Sequence, residues 1–405
     1  MGRSAKAKTA PRLGMLLARK PPFWPAFSAR LRSEAVTARV GSVLGVAFGL
    51  CFATGLLSHY QYAPWAWLPI PAAPVWGYRL SQGIHVITGL VSIPLLITKL
   101  WSVFPKLFQW PPARSVVHAL ERLSVAVLVS ASLVEVGIGL LNILTWYPWR
   151  FSFIDVHHWL AWVVLGSLLL HIAVKLPVIR RGLADTALDQ PPASDTASDT
   201  PTAPDAQPAG GISRRGVLIA SGAGAGIVAL TTAGQSLTPL RSVALLGVRE
   251  PQRGPLGVPI NRTAAQADVR QLATAATYRL QISGRTPFDL TLAELEAMSG
   301  VHRSLPIACV EGWSAGARWI GIELMELVTR AGGTADSRVV LTSLEADGPF
   351  RRSAISGPQL RAALLATHLN GQRLTLDHGY PLRLIAPNRA GVFNTKWLSG
   401  IAVGR

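Results

Sequence analysis

Ala308-Cys309-Val310-Glu311-Gly312-Trp313-Ser314 holds the one cysteine of this chain that lies outside a hydrophobic span. The other, Cys51, sits mid-way along an apolar run and needs no function there. A lone thiol has no disulfide to form, so its value is packing, metal ligation or nucleophilicity. A strand-like run, Ser304–Val310, leads into Cys309, and Trp313 and Ser314 follow at once. The sulfur is therefore expected at a strand end, beside polar groups. Thiolate is a soft ligand that suits a thiophilic or high-valent metal. A buried structural cysteine is the competing reading.

Working outward, the 405 residues are enough for two or three domains. With 49% hydrophobic residues the chain is more apolar than most soluble proteins. A formal charge of +18 raises the question of nucleic acid, but the distribution argues against it. Basic residues crowd the N-terminal tail, from Arg3 to Arg39, and recur at Lys99, Lys106, Arg114, Arg122, Lys175, Arg180 and Arg181. These flank apolar stretches, as the positive-inside rule requires, and no nucleic-acid module occurs.

Four stretches, Val40–Leu57, His85–Val103, Leu123–Thr145 and His157–Val174, approach the roughly 20 residues that cross a bilayer, and Gly216–Thr232 is a shorter fifth. A cytoplasmic N-terminus sends spans one, three and five outward. Segments 58–82 and 146–156 then face outside, with few cations and an aromatic belt of Trp65, Trp67, Trp76, Trp146 and Trp149. The domain after span five is expected to be extracytoplasmic, with the chain in a bacterial plasma membrane.

Composition divides the chain further. The expected parts are a basic cytoplasmic tail (1–38), a four-helix membrane domain (39–181), an acidic linker (182–212), an anchor helix (213–236) and an oxidoreductase domain (237–405). Residues 184–211 are rich in Ala, Asp, Pro, Thr and Ser and contain no Lys or Arg, too polar to build a core. The linker ends at Ser213-Arg214-Arg215, which resembles a twin-arginine export signal; two ordinary positive-inside arginines are the alternative. The last part reads as α+β. Tyr278–Ile282, Val339–Ser343 and Leu382–Ala386 are expected strands. Thr291–Met298 is an expected helix with a Thr291/Glu294 capping box, and Ile322–Arg330 is a second, closed by Gly332-Gly333.

The Cys309 segment resembles the molybdenum-binding motif of the sulfite oxidase family, in which one cysteine ligates molybdenum held by a molybdopterin. Its Cys-Val-Glu-x-Trp-Ser form looks most like catalytic subunits of bacterial periplasmic methionine sulfoxide reductases. A second anchor is His378-Gly379-Tyr380-Pro381-Leu382-Arg383, continuing to Thr395-Lys396-Trp397. The resemblance covers about residues 255 to 405. It implies that Cys309 ligates the metal and that Glu311 and Trp313 shape the pocket. Ser314, His378, Arg383, Arg389 and Lys396 would meet the cofactor, with Asn388 and Asn394 as neutral partners. Asn261 is a weaker candidate near the metal. A pterin with a phosphate needs fixed cations and donors, which this set supplies. His302 and Arg303 read as a surface pair. An immunoglobulin-like dimerisation domain of the eukaryotic type is not expected after it.

Intramembrane histidine is a functional hypothesis by default. His157 and His171 share span four, fourteen residues apart. That leaves both near one helix face, about 21 Å apart along the axis. His85 opens span two at the outer level, opposite His157. Imidazole is a common axial ligand of haem iron. The pattern resembles the cytochrome b subunits of bacterial formate dehydrogenases over about residues 38 to 178, which implies one or two b haems. His85 and His157 would hold the outer haem, and His171 with His118 the inner one. The family's inner ligand near the start of span one has no counterpart here. His59 could replace His85 or meet a propionate, and His158 could serve if the helix were rotated; both read more simply as interfacial residues. No CxxCH occurs, which excludes c-type attachment.

The expected whole is a membrane all-α four-helix haem bundle plus one anchor helix, followed by a soluble α+β sulfite oxidase-like molybdopterin domain. The resemblance implies oxygen-atom transfer to or from a sulfoxide-like or sulfite-like substrate, with electrons relayed to or from membrane quinone or another redox protein. A redox or sensor module without turnover is the alternative.

Overall fold

The structure, a computed structural model, describes residues 31–62, 64–65, 67–111, 114–185, 213–249 and 253–404. Most of the basic tail and of the acidic linker lies outside the described residues. Among the described residues five long helices come first: α1 (Glu34–Tyr60), α2 (Gly77–Leu107), α3 (Val116–Ile143), α4 (Phe153–Ala184) and α5 (Arg214–Ala233). All five are long and apolar enough to cross a membrane. The first four extend well past the apolar stretches read from sequence: α4 starts four residues earlier and runs on through Lys175, Arg180 and Arg181. Hydropathy marks only the lipid-depth part, whereas the backbone keeps its hydrogen bonds helical beyond it. Ser213 accepts the Gly216 N–H at 3.0 Å, so the Ser-Arg-Arg segment is also the capped start of α5.

Contacts divide the chain into two compact units, and each long helix contributes to both. The first comprises 1–47, 91–137 and 159–226. In it, polar and charged groups pair across helices. Lys99 Nζ donates to Thr37 O at 2.8 Å, Thr37 Oγ1 donates to Ser102 Oγ at 3.2 Å, and Lys175 is paired with Glu121. Such pairing is what a charge needs at membrane depth.

The second unit comprises 48–90, 138–158 and 227–405. Its C-terminal part is α/β, with two five-stranded sheets. The strands are β1 (Arg279–Ser283), β2 (Phe288–Thr291), β3 (Val301–Ala308), β4 (Ser314–Glu323), β5 (Val339–Ser343), β6 (Arg352–Ile355), β7 (Leu364–Leu369), β8 (Gln372–Arg373), β9 (Arg383–Ile385) and β10 (Leu398–Val403). One sheet has the order β2-β1-β10-β5-β6; the other has β3-β4-β7-β8, with β9 paired to β7. Only β1 with β10 is parallel among the paired strands. The short helices are α6 (Arg270–Thr274), α7 (Leu292–Met298), α8 (Leu324–Arg330) and α9 (Gly357–Arg361). One core joins the first sheet to α7 and α8 through Leu280, Leu295, Leu327, Leu341 and Leu398. A second surrounds the other sheet and contains Cys309, Trp313 and Trp319.

Two expectations shift by a few residues. The strand before Cys309 ends at Ala308, because the chain turns there. Ile322 and Glu323 belong to β4, not to the following helix, because they pair with Leu365 and Leu364 of β7. The capping box forms as read: Thr291 Oγ1 accepts the Glu294 N–H at 3.2 Å, and Glu294 Oε2 accepts the Thr291 N–H at 2.7 Å. Gly332, at φ +82, closes α8, and the Gly333 N–H donates to Val328 O at 2.9 Å.

Removing the cap in Thr291→Ala is expected to cost about 1 kcal/mol. Hydrogen exchange at the first-turn amides of α7 should accelerate by about fivefold, with the sheet amides unchanged.

Candidate molybdopterin and haem sites

The chain between β3 and β4 is a tight loop. The Cys309 N–H donates to Trp313 O at 2.9 Å, and the Gly312 N–H donates to Cys309 O at 3.1 Å. Gly312 takes φ +96, and a Cβ there would lie 2.9 Å from both Gln235 Nε2 and Val86 Cγ2. Glycine is thus required both for conformation and for space. The loop holds Cys309 at 2% exposure. Burial, reinforced by the nearby Glu311 carboxylate, pushes the thiol far above its ordinary value. Such a thiol is a poor free nucleophile, and its thiolate needs a cation beside it, as a bound metal provides.

Cys309 opens on a cleft lined also by Val258, Asn261, Trp313, His378, Arg383 and Lys396. Arg383 is buried, its Nη1 donating to His378 O at 2.9 Å and its Nη2 to Asn394 O at 3.3 Å. Its Nε is buried with no hydrogen-bond acceptor. An orphaned guanidinium donor at a cleft wall is the mark of an anion or acceptor still to come. Lys396 Nζ donates to Arg262 O at 2.7 Å and Asp377 O at 2.9 Å, which leaves one of its three protons. Burial, with Arg383 adding repulsion, pushes Lys396 down to about 7. His378 is held neutral, pushed down to about 4 chiefly by burial. Its Nε2 lies 3.0 Å from Val258 O and its Nδ1 2.9 Å from Thr375 Oγ1, which fixes the cleft wall at Val258. These residues fit a phosphate-bearing pterin and a metal at Cys309.

Other residues expected at the site stand behind it. Glu311 accepts from Trp313 Nε1 at 2.8 Å and from Arg249 Nε at 2.9 Å, so it orients the indole that lines the cleft. The Ser314 N–H donates to Gln235 O at 2.9 Å, and its hydroxyl faces Ser236 O at 3.4 Å. Arg389 donates to Phe393 O, Gln359 Oε1 and Ala354 O at 2.8 to 3.1 Å, bracing the loop that carries the cleft residue Gly391. Asn394 Oδ1 accepts the Ala386 N–H at 3.1 Å, and Asn388 Nδ2 donates to Pro71 O at 2.8 Å. His302 and Arg303 lie out on β3, where Arg303 bonds Glu323 at 2.5 Å.

Sequence reading passed over Asp377 and Gly391 in the cleft, Arg249 beside Glu311, and two tyrosines. Tyr62, after α1, is raised to about 12 by burial and then by the Cys309 charge. Tyr147, after α3, is raised by burial, Glu311 and Cys309. Asp377 adjoins His378 and was within reach of the motif. Gly391 lies two residues past Arg389 and was equally within reach, whereas Arg249, Tyr62 and Tyr147 sit far away in sequence and carry no local signal.

The second constellation lies on the long helices. The His85 and His157 rings have centroids 6.0 Å apart and planes at 89°. An iron about 2 Å from one nitrogen of each imidazole sets the centroids about 6 Å apart. His85 Nδ1 lies 2.8 Å from Cys51 O, the kind of carbonyl contact that orients a ligating imidazole. A Cβ at Gly55 would come 2.9 Å from His85 Cε1, and one at Gly139 would come 3.2 Å from His157 Cε1. Both rings therefore occupy space that glycine leaves. His59 and His158 are stacked face to face, centroids 3.6 Å apart and 7° between planes, too close to hold an iron between them. His118 Nδ1 accepts the Arg114 N–H at 3.2 Å, and no ring contact joins it to His171 among the described residues.

With that geometry in view, residues 266–405 match the model of the oxidoreductase molybdopterin binding domain. The C-terminal region is a molybdopterin-binding oxidoreductase domain. The chain is 29% identical over 147 residues to a protein of Azospira oryzae named for a protein-methionine-sulfoxide reductase subunit, YedZ1, covering 36% of this chain and 55% of that one. It is 33% identical over 158 residues to human mitochondrial sulfite oxidase, covering 31% and 29%. It is 28% identical over 137 residues to the oxidoreductase YuiH of Bacillus subtilis, covering 33% and 69%. The chain thus spans little more than half of the first relative and under a third of the second. The domain is of the sulfite oxidase type.

Lys396 gives the cleft a pH signature. Its charge is present below about pH 7 and lost above it, so anion affinity is expected to fall as pH rises. Sulfate titrated by calorimetry into cofactor-free protein should bind several-fold more weakly at about pH 8.5 than at about pH 6. Lys396→Met should abolish that dependence.

Proposed function

We propose that this chain is a membrane-bound molybdenum oxidoreductase that moves an oxygen atom to or from a small sulfur oxo compound, with electrons relayed through b haem to or from membrane quinone. The observation that carries the reading is the Cys309 sulfur opening on a cleft walled by Arg383 and Lys396. When bound, the molybdenum of molybdopterin would supply two-electron oxygen-atom exchange. Cys309 would ligate that metal. Arg383 Nε and the remaining Lys396 proton would hold the phosphate, Asn261 and Trp313 would line the metal's surroundings, and His378 would keep the wall in place. Glu311, Ser314 and Arg389 would act as positioning residues behind them.

Of the two substrate types, a neutral sulfoxide-like oxide suits the site better than an anion. Arg249, the arginine bonded to a residue of the Cys309 loop, is already paired with Glu311. Protons for a leaving oxygen have candidate donors in Tyr62 and Tyr147. The spacing and orientation of His85 and His157 support an outer haem. A second haem at the inner level would rest on His171, with His118 the other imidazole on that side. Charge asymmetry supports a plasma-membrane topology with the oxidoreductase domain outside the cytoplasm.

In the test of the metal site, Cys309→Ser should fold with wild-type helix content yet lose molybdenum-dependent turnover, because serine is a harder ligand of far higher pKa. Wild-type turnover in the molybdenum-loaded variant would sink the assignment.

Haem content tests the membrane half. His85→Ala or His157→Ala should remove the outer haem, and His171→Ala the inner one, read as pyridine haemochrome per chain and by low-temperature absorbance. Unchanged haem in all three variants would overturn the haem reading.

A further inference from the structure

The cysteine loop rests directly on the helix that carries His85. Gln82 of α2 is 5% exposed, and its Nε2 donates to Val310 O at 2.6 Å, one residue from Cys309. Its Oε1 accepts from the Tyr78 hydroxyl at 3.4 Å, and Tyr78 is buried with Ala308 and Ala390. Val86 packs against Gly312 of the same loop, close enough to exclude a Cβ there. His85 lies three residues past Gln82, about 4.5 Å along the axis. A buried polar side chain is costly unless its hydrogen bonds are made, and here one is made within α2 and the other to the cysteine loop.

We propose that Gln82 is the electronic bridge between the two redox sites: the path runs from Cys309 through the Val310 carbonyl and the Gln82 amide into α2 and on to His85. It consists of covalent bonds and one short hydrogen bond, with no jump through space. This rests on the haem and molybdenum reading above and assigns its route. In the reducing direction a membrane hydroquinone gives up two electrons and two protons. With both groups bound, the electrons would cross Gln82 one at a time, each from a ferrous haem held by His85, left ferric, to the metal held by Cys309, reduced by one. Two crossings and two protons remove one oxygen atom from a sulfoxide as water. Oxidation of a sulfur substrate by water reverses every term. Gln82 is a positioning residue in this scheme and touches neither substrate nor metal.

The test uses the full chain, purified with haem and molybdenum, in wild-type, Gln82→Leu and Arg79→Gln forms. Arg79 also grips the loop from α2, but indirectly: Arg79 Nε donates to Ser236 O at 3.0 Å, and the Ser236 hydroxyl donates to Gly312 O. Haem is reduced by a light pulse, and its reoxidation by the molybdenum site is followed at the haem absorbance band. Haem content, haem potential and turnover with a dye that bypasses the haem are measured beside it. In Gln82→Leu, reoxidation should slow by about tenfold or more, while the other readouts stay at wild-type values. Arg79→Gln should keep the wild-type rate. An unchanged rate in Gln82→Leu overturns the bridge and leaves the proposed function standing. Equal slowing in Arg79→Gln also overturns it, since both residues would then act only by seating the loop. Wild-type protein without haem overturns the functional reading itself.

Discussion

The hydrogen bond from the Cys309 N–H to Trp313 O is the constraint on which the rest of this site turns. It closes a loop between β3 and β4 so tight that Gly312 adopts a positive φ, and closing it aims three things at once. The sulfur faces the cleft, the Trp313 indole swings against Glu311, and the Val310 carbonyl points out toward Gln82. The loop is rigid because the strands on either side pair residue for residue, from Val301 with Gly321 to Ala308 with Ser314. A metal ligand on such a turn has little freedom to lose on binding, which is what a preorganised site requires.

The cleft is electrostatically unfinished by itself. Arg383 and Lys396 are enclosed with backbone carbonyls as their chief partners, and burial works against both charges. Buried cations are tolerated when paired or hydrogen-bonded, and the remaining donors converge on the cleft. A negatively charged ligand there would restore what burial took away. His378 contributes shape and hydrogen bonds, not charge, because its environment keeps it neutral.

The membrane helices contribute more than an anchor. Besides the Gln82 contact, the Gln235–Ser236 segment after α5 meets the same loop, and Arg79 of α2 holds that segment through Ser236 O. Glycine at 55 and 139 lets two imidazoles settle against neighbouring helices. In an apolar medium such polar contacts have few competitors, so each is a strong determinant of where a helix end sits.

Much of the architecture was legible in the residues. Apolar length announced the five helices, because a bilayer-spanning segment must be long and uninterrupted. The Thr291/Glu294 box and the Gly332-Gly333 stop are local chemistry, and both formed where they stood. Cys309, Trp313, His378, Arg383 and Lys396 carried a motif signal, and the fold brings all five to one cleft. What stayed hidden is what depends on distant chain segments meeting. Nothing near Arg389 says that its guanidinium goes to Gln359 and Ala354 instead of the cleft. Nothing near His59 and His158 says that they stack, and Gln82 reads as one polar residue at the end of an apolar run. Sequence determined the element types and the chemistry available, since both arise from local spacing and side-chain identity. Only tertiary structure decided which donors remain uncommitted and which residue of α2 meets the Cys309 loop, because a hydrogen bond is settled by whichever acceptor packing brings within 3 Å of the donor.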